Sequence, residues 1–253
     1  MIKNKLLLLS LMTLAFILIT PDHAKAAGAK KKGGRGAFRG GAISAGFGVG
    51  ITTANQSGLN TMIDVSKTSV AASTSNFNSG VEYMGHLTFR FSNDLVALQF
   101  RPTYFQQSTS GTGTDGSHSY DLKGYTIFPL VRIIPLSNDI IDFYLQAGIG
   151  YGKMDGSVTN GARKVDFTGS SFGMQAGLGA DFYFFPDHGF GIEGNYRYLP
   201  IARNIASSGT GPANLPYGSS QAAADRELED LNGSDVATSM TGISGLLTYS
   251  YNF

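Results

Sequence analysis

From Gly41 to Phe253, apolar and polar residues alternate one by one in segment after segment. A period of two puts successive side chains on opposite faces of a strand, one in an apolar medium and one in a polar or tightly packed one. Ile43, Ala45, Phe47, Val49 and Ile51 alternate with Ser44, Gly46, Gly48 and Gly50. Val81, Tyr83, Leu87, Phe89 and Phe91 alternate with Glu82, His86, Thr88 and Arg90. Val96, Leu98, Phe100 and Tyr104 alternate with Ala97, Gln99, Arg101 and Thr103. Tyr120 to Ile134 is a blurred fourth strand, apolar on both faces around Ile127 to Val131. Similar alternation runs from Phe143 to Tyr151, Phe172 to Phe184, Phe190 to Tyr198 and Ile243 to Phe253.

The pattern predicts about eight strands of roughly ten residues, the length a tilted strand needs to cross a bilayer. Short turns are predicted at Ser92-Asn93-Asp94, at Pro135-Leu136-Ser137-Asn138-Asp139 and at Phe185-Pro186-Asp187-His188. Long Ser-, Thr-, Asn- and Gly-rich loops are predicted at 53–80, 107–119, 153–169 and 199–238. Alternation of tight and long connections is the mark of an antiparallel up-and-down transmembrane barrel with short periplasmic turns and long extracellular loops. Aromatic residues fall near both strand ends: Phe89, Phe91, Phe182 to Phe185 and Tyr249 to Phe253 at one, Tyr83, Tyr104, Tyr120, Tyr151 and Tyr198 at the other. Two such girdles suit two membrane–water interfaces.

Composition fits this all-β reading. Mean hydropathy is near zero, which excludes a polytopic helical membrane protein but suits strands that alternate. Cys is absent, which removes disulfides and thiolate metal sites. Met1 to Lys5 is basic, Leu6 to Ile19 is a continuous apolar run, and Ala24-Lys25-Ala26 is a small-residue cleavage pattern. Residues 1–26 therefore read as a secretory signal peptide. Residues 27–40 form a Gly-rich tail carrying Lys30, Lys31, Lys32, Arg35 and Arg39. Residues 41–253 form the barrel. If eight strands follow, the tail lies on the periplasmic side, where its cations could meet lipid phosphates or the cell wall, or simply aid export.

The chain resembles the small bacterial outer-membrane barrels of the OmpA/OmpX type over essentially all of Gly41 to Phe253. The closing run, with Leu247, Tyr249, Tyr251 and terminal Phe253 in alternation, is similar to that family's C-terminal assembly signal. The resemblance implies residence in the outer membrane, contact with its lipid, and handling by periplasmic chaperones and barrel-assembly machinery. It implies no particular activity, because one scaffold hosts many functions.

The inward face predicts a lumen charge cluster of Glu82, His86, Arg90, Arg101, Asp181, Glu193 and Arg197. An eight-stranded barrel is only wide enough to be filled by side chains, and buried charges must pair. Centring the last short hairpin on Asp187 places Asp181 opposite Glu193, with Arg90 and Arg101 as the neutralising partners and Arg197 as a second possibility. The cluster is either a salt-bridged plug or a narrow ion path. Inward glycines leave room for water, or for large neighbours such as Tyr144 and Tyr183.

No catalytic residues, cofactor or metal site are predicted. Asp115, Ser117, His118 and Ser119 share a loop, but nothing fixes a nucleophile beside a base. A short acidic helix is predicted over 219–231, capped by Ser219 or Ser220, as a lid, a recognition element or an ornament. The expected role is that of a monomeric structural or interaction barrel without nucleic acid. Its surface partner would meet loops 53–80 and 199–238. A narrow porin is the alternative, and a lipid- or ligand-binding or -modifying barrel the third reading.

Overall fold

The computed structural model describes residues 42–91, 95–185, 187–210, 226–228 and 235–253. Eight long antiparallel strands close a ring: β1 (Ile43–Thr53), β2 (Ser79–Arg90), β3 (Val96–Gly113), β4 (Gly116–Ser137), β5 (Ile141–Asn160), β6 (Arg163–Phe185), β7 (His188–Tyr198) and β11 (Gly242–Asn252). Each pairs with its neighbour in sequence, and β1 pairs with β11 from Ser44↔Asn252 to Thr52↔Ser244. Closure removes every edge from the ring, which a strand crossing hydrocarbon requires. Helix α1 (Ser57–Val70) follows β1, and the short strands β8 (Pro200–Ile201), β9 (Asn204–Thr210) and β10 (Thr238–Ser239) lie between β7 and β11.

Two of the four long loops are not loops. β3 and β4 run on to the pair Gly113↔Gly116, leaving Thr114-Asp115 as a two-residue turn. β5 and β6 run on to Asn160↔Arg163, leaving Gly161-Ala162. Gly161 has φ 58° and Gly116 φ 126°, values that glycine adopts without the strain other residues would carry. The expected loops at 107–119 and 153–169 are thus continuations of the barrel hairpins. β9 takes the place of β7 along the far end of β6, from Lys164↔Thr210 to Gly169↔Asn204. β3, β4, β5, β6 and β9 therefore form a tall wall beyond the ends of the other four barrel strands.

Along this wall the alternation changes sense. In the ring, Leu98, Ile127, Val131, Leu145, Ile149 and Ile192 point outward and exposed, while Gln99, Arg101, Gln146 and Glu193 point inward and buried. In the wall, Tyr120, Leu122, Met154, Val158, Val165 and Phe167 point inward and buried. Asp121, Lys123 and Lys153 point outward and exposed. The inward residues meet an apolar layer from the loops: Leu59, Met62 and Ile63 of α1, with Phe77, Leu199, Ile201, Leu228, Val236 and Met240. Burying each such side chain contributes about 1.5–3 kcal/mol.

Helix α1 falls within a segment expected to be a loop, because its apolar positions Leu59, Met62 and Ile63 cover only one side of a short stretch. Its capping position, Gln56, makes no side-chain cap bond. Instead the Gln56 amide donates to Gln107 Oε1 at 2.9 Å and to Ser239 O at 2.6 Å, and accepts from Ser239 N at 2.9 Å. One buried amide thereby ties the first loop, the wall and the last loop together. Most of the expected helix over 219–231, the predicted signal peptide and tail at 1–40, and the turn Ser92–Asp94 lie outside the described residues. Of that expected helix, Glu227 is described, and it bridges Ile205 as an antiparallel partner rather than lying in a helical turn.

Candidate functional site

The lumen of the ring holds the polar groups in stacked levels. Nearest the short turns, Arg90 pairs with Asp142, which also accepts from Ser137 at 2.6 Å and Tyr183 at 3.0 Å. The next level centres on Glu193. Its carboxylate pairs with Arg101, and accepts from Arg132 Nη2 at 3.1 Å and the Tyr144 hydroxyl at 2.9 Å. Asn195 Nδ2 also donates to it. Arg132 donates through Nε to Gln146 at 2.9 Å, pairs with Asp181 at 3.6 Å, and lies 3.9 Å from the centre of the Tyr144 ring. Above that, Arg197 donates to Glu82 at 3.0 Å and to the Met240 carbonyl at 2.7 Å. Glu82, Asp142, Asp181 and Glu193 thus face Arg90, Arg101, Arg132 and Arg197, so the cluster is neutral.

All seven expected lumen residues point inward, but their partners differ from expectation. Asp181 lies opposite Gly191, and Glu193 opposite Gly179, because the hairpin closes on the pair Phe185↔His188 instead of centring on Asp187, and its register shifts by one more between Phe185 and Tyr183. The two carboxylates are therefore not a facing pair. Arg101 does reach Glu193, whereas Arg90 serves Asp142 and Arg197 serves Glu82. Arg132, which the sequence pattern does not single out, serves both Glu193 and Asp181. Asp142 escapes the pattern as well, although it sits one step before the alternating run that starts at Phe143.

Two narrow features complete the lumen. A cavity of about 40 Å³ opens at the short-turn end between His86, Arg90, Arg132, Asp142 and Asp181, room for a few waters. His86 Nδ1 is buried there without a protein partner. Gly46 lets the His86 ring lie against β1, and Gly179 does the same for Tyr144. At the opposite end, from the rung of Glu82 and Phe105 onward, the apolar layer begins with Phe105, Leu199 and Met240, while Phe128 and Leu130 of β4 reach down beside the charges; all five are fully buried.

The outer surface decides the setting. A belt of outward apolar side chains circles the ring. Aromatic pairs border it on both sides. Tyr83, Tyr104 and Tyr125 line up in a row at the loop end, the first two stacked and the third tilted, beside the pair Tyr151 and Phe172. Phe47, Tyr249, Phe190 and Phe184 cluster at the turn end with His188. The model of the outer membrane protein β-barrel domain matches residues 13–224. The chain belongs to this family. The outer-membrane barrel shares its fold with OprG from Pseudomonas aeruginosa, at a TM-score of 0.51 and 15% identity, covering 86% of this chain and 99% of that one. A major outer membrane protein from Thermus thermophilus matches at a TM-score of 0.49 and 10% identity, covering 84% of this chain and 100% of that one. No curated protein sequence matches the chain.

In outer-membrane barrels generally, short turns face the periplasm and the longer connections face outward. Tyr120 does not join the extracellular girdle as expected. It points inward and is fully buried, and its hydroxyl lies 3.4 Å from Ser66 of α1. Burial pushes the Tyr120 hydroxyl above its ordinary value, with hydrogen bonds from Ser66 and Asn160 acting against that rise. His118 lies in β4 rather than in a loop, and it is buried. Its Nε2 meets Asp115 Oδ1 and its Nδ1 meets Asn160 Oδ1, each at 2.7 Å. These bonds staple the two extracellular hairpin tips. Ser119 donates to Asp121 instead of to the imidazole. Among the described residues, no group of three or more His, Asp and Glu could hold a metal.

Proposed function

We propose that this outer-membrane protein is a closed, single-chain barrel whose folded extracellular layer meets other surfaces. The observation that carries this reading is the filled lumen. A neutral set of paired charges occupies the membrane-embedded half. A continuous apolar core, with Phe105, Phe128, Leu199 and Met240 at its base, lies directly above it. An ion rising from the periplasm would have to leave its hydration shell among hydrocarbon groups, at a cost of many kcal/mol. The hairpins, stapled at His118, and helix α1 present a fixed rather than a mobile surface, which suits recognition without large ordering costs.

This reading includes export through a leader at residues 1–26 and delivery by periplasmic chaperones and the barrel-assembly machinery, with the closing row Leu247, Tyr249, Tyr251 and Phe253 as signal. It also puts the basic residues Lys30, Lys31, Lys32, Arg35 and Arg39 on the periplasmic side. No catalysis is assigned: the His118 ring is committed to Asp115 and Asn160.

Planar-bilayer recording on the purified monomer tests the reading. Silence is expected. Steady unitary openings that survive tightening of the seal would favour the porin alternative and overturn the closed barrel.

A further inference from the structure

We propose that the lumen of the ring is a water-bearing half-channel, open at the short-turn end and shut at the loop end by a stopper made of Leu199 and Met240. Five buried polar atoms carry this inference. His86 Nδ1, Gln99 Oε1, Arg101 Nε, Thr103 Oγ1 and Thr126 Oγ1 have no hydrogen-bond partner among the described residues, and all five residues are more than nine-tenths buried. They are not scattered. Gln99, Arg101 and Thr103 are successive inward residues of β3, Thr126 is the ladder partner of Thr103 on β4, and His86 lies on the neighbouring β2. From Gln99 to Thr103 the row runs about 13 Å, at about 3.3 Å per residue. A buried polar atom without a partner is unfavourable, and ordered water is the general remedy. His86 lines the cavity of about 40 Å³ at the short-turn end, so the row begins where water has room to enter. The bulky groups of β4 stand aside from it. Phe128 lies in the space that a side chain on Gly150 would fill, and Leu130 in that of Gly148. Both glycines belong to β5, so β4 turns its bulk away from β3.

The row stops at Thr126 for an identifiable reason. Thr126 pairs across the ladder with Gly152. The tips of Leu199 and Met240 occupy the space of a side chain on Gly152, and Met240 Sδ occupies that of Gly124, two residues from Thr126 on β4. Phe105, the ladder partner of Gly124, completes the seal from β3. Leu199 and Met240 come from the two ends of the last loop, and their backbones are tied. Met240 N donates to Leu199 O at 3.0 Å, and Arg197 Nε donates to Met240 O at 2.7 Å. Arg197 also donates to Glu82, so the uppermost charge pair anchors the stopper. Apolar side chains seated over glycines thus close the lumen, and the charges beneath them line it. The inference rests on the closed-barrel reading and says where the closure lies.

The chain has no Cys, so single introduced cysteines report water at chosen depths. The test uses the full-length protein in detergent micelles and chloride-free buffer, with silver ion as the probe. Thiol left unreacted is counted by alkylation after unfolding. Thr103→Cys is expected to react about a hundredfold faster than Met154→Cys, because an ion leaves water to reach the second but not the first. Met154 is fully buried and is the ladder partner of Gly124, just beyond the stopper. Adding Leu199→Ala/Met240→Ala is expected to bring Met154→Cys to within about tenfold of Thr103→Cys, as water follows into the space left behind. Val158→Cys, one turn of the alternation further along β5 and fully buried, is expected to stay protected. Unshifted heat-modifiability on gels shows that each variant is folded. Protection of Thr103→Cys would overturn the half-channel and leave the closed barrel standing. Unchanged protection of Met154→Cys without the two loop side chains would overturn the stopper. So would reaction of Val158→Cys in that double variant, which would assign the effect to a loosened outer layer. Fast reaction of Met154→Cys in the otherwise wild-type chain would instead break the closed-barrel reading on which the inference rests.

Discussion

The two halves of this barrel are built on opposite plans. Within the membrane the strands carry polar groups inward and apolar groups outward. Beyond it, β3 to β6 carry apolar groups inward and polar groups outward, as the wall of a soluble barrel does. The same backbone ladder runs through both. What reverses is the solvent: lipid surrounds the lower half and water the upper, and each half sets its faces accordingly. The lower half is held together by charges that neutralise one another. The upper half is held by hydrophobic burial.

The comparison predicts distinct failures. Glu193→Ala leaves Arg101 and Arg132 facing an empty position in the lumen, and removing one partner of a buried pair costs about 3–5 kcal/mol. The urea midpoint of refolded protein should fall accordingly. The double variant Arg101→Leu/Glu193→Leu should recover much of that loss. Failure to recover would mean that the cluster contributes more than the cost of an uncompensated charge. In the upper half, Leu59→Ala should cost about 2–5 kcal/mol, read as faster proteolysis at α1, while heat-modifiability of the ring stays unchanged. If the ring opened too, the halves would not be separable. Along one outward row of β5, Leu145→Lys should cost about 2–4 kcal/mol in lipid. Ser157→Lys, on the same face further out, should stay within about 0.5 kcal/mol. Equal penalties would move the membrane boundary.

The smallest effect is a pH dependence. Burial alone would raise the Asp166 carboxyl. Hydrogen bonds from Ser157 and Ser208 and the charge of Lys164 outweigh it and hold the group below its ordinary value of 3.8. A lowered folded value means that its contribution is present above about pH 4 and fades as pH falls through the folded value. Asp166→Asn should therefore lower the urea midpoint at neutral pH, with the difference shrinking on acidification below about pH 4. A difference that grew with acid would contradict the assigned partners.

Much of the lower half is legible in the sequence, because its inside and outside differ sharply in polarity. The inward set Glu82, His86, Arg90, Arg101, Asp181, Glu193 and Arg197 follows from period two alone. Partner choice does not, since it depends on register across several strands and on the shift near Tyr183. Arg132 hides in β4, whose middle looks apolar on both faces. The structure explains the blur: outward Ile127 and Val131 meet lipid, while inward Phe128 and Leu130 meet the descending apolar core. The upper half is harder to read because outward apolar rows stop at the aromatic belt. Two signals are present all the same. Asp115-Gly116 and Asn160-Gly161 are hairpin dipeptides, and Met154, Val158, Val165 and Phe167 continue the alternation with its sense reversed.

The bonds of Gln56 have a kinetic consequence. Gln56 follows β1 and Ser239 precedes β11, so they come within reach once the first and last strands have zipped together. The loop to be closed spans most of the chain, and such non-local contacts form late. The cap over the lumen is thus the last event of assembly, and its protection against exchange or protease is a clock that starts when the ring shuts.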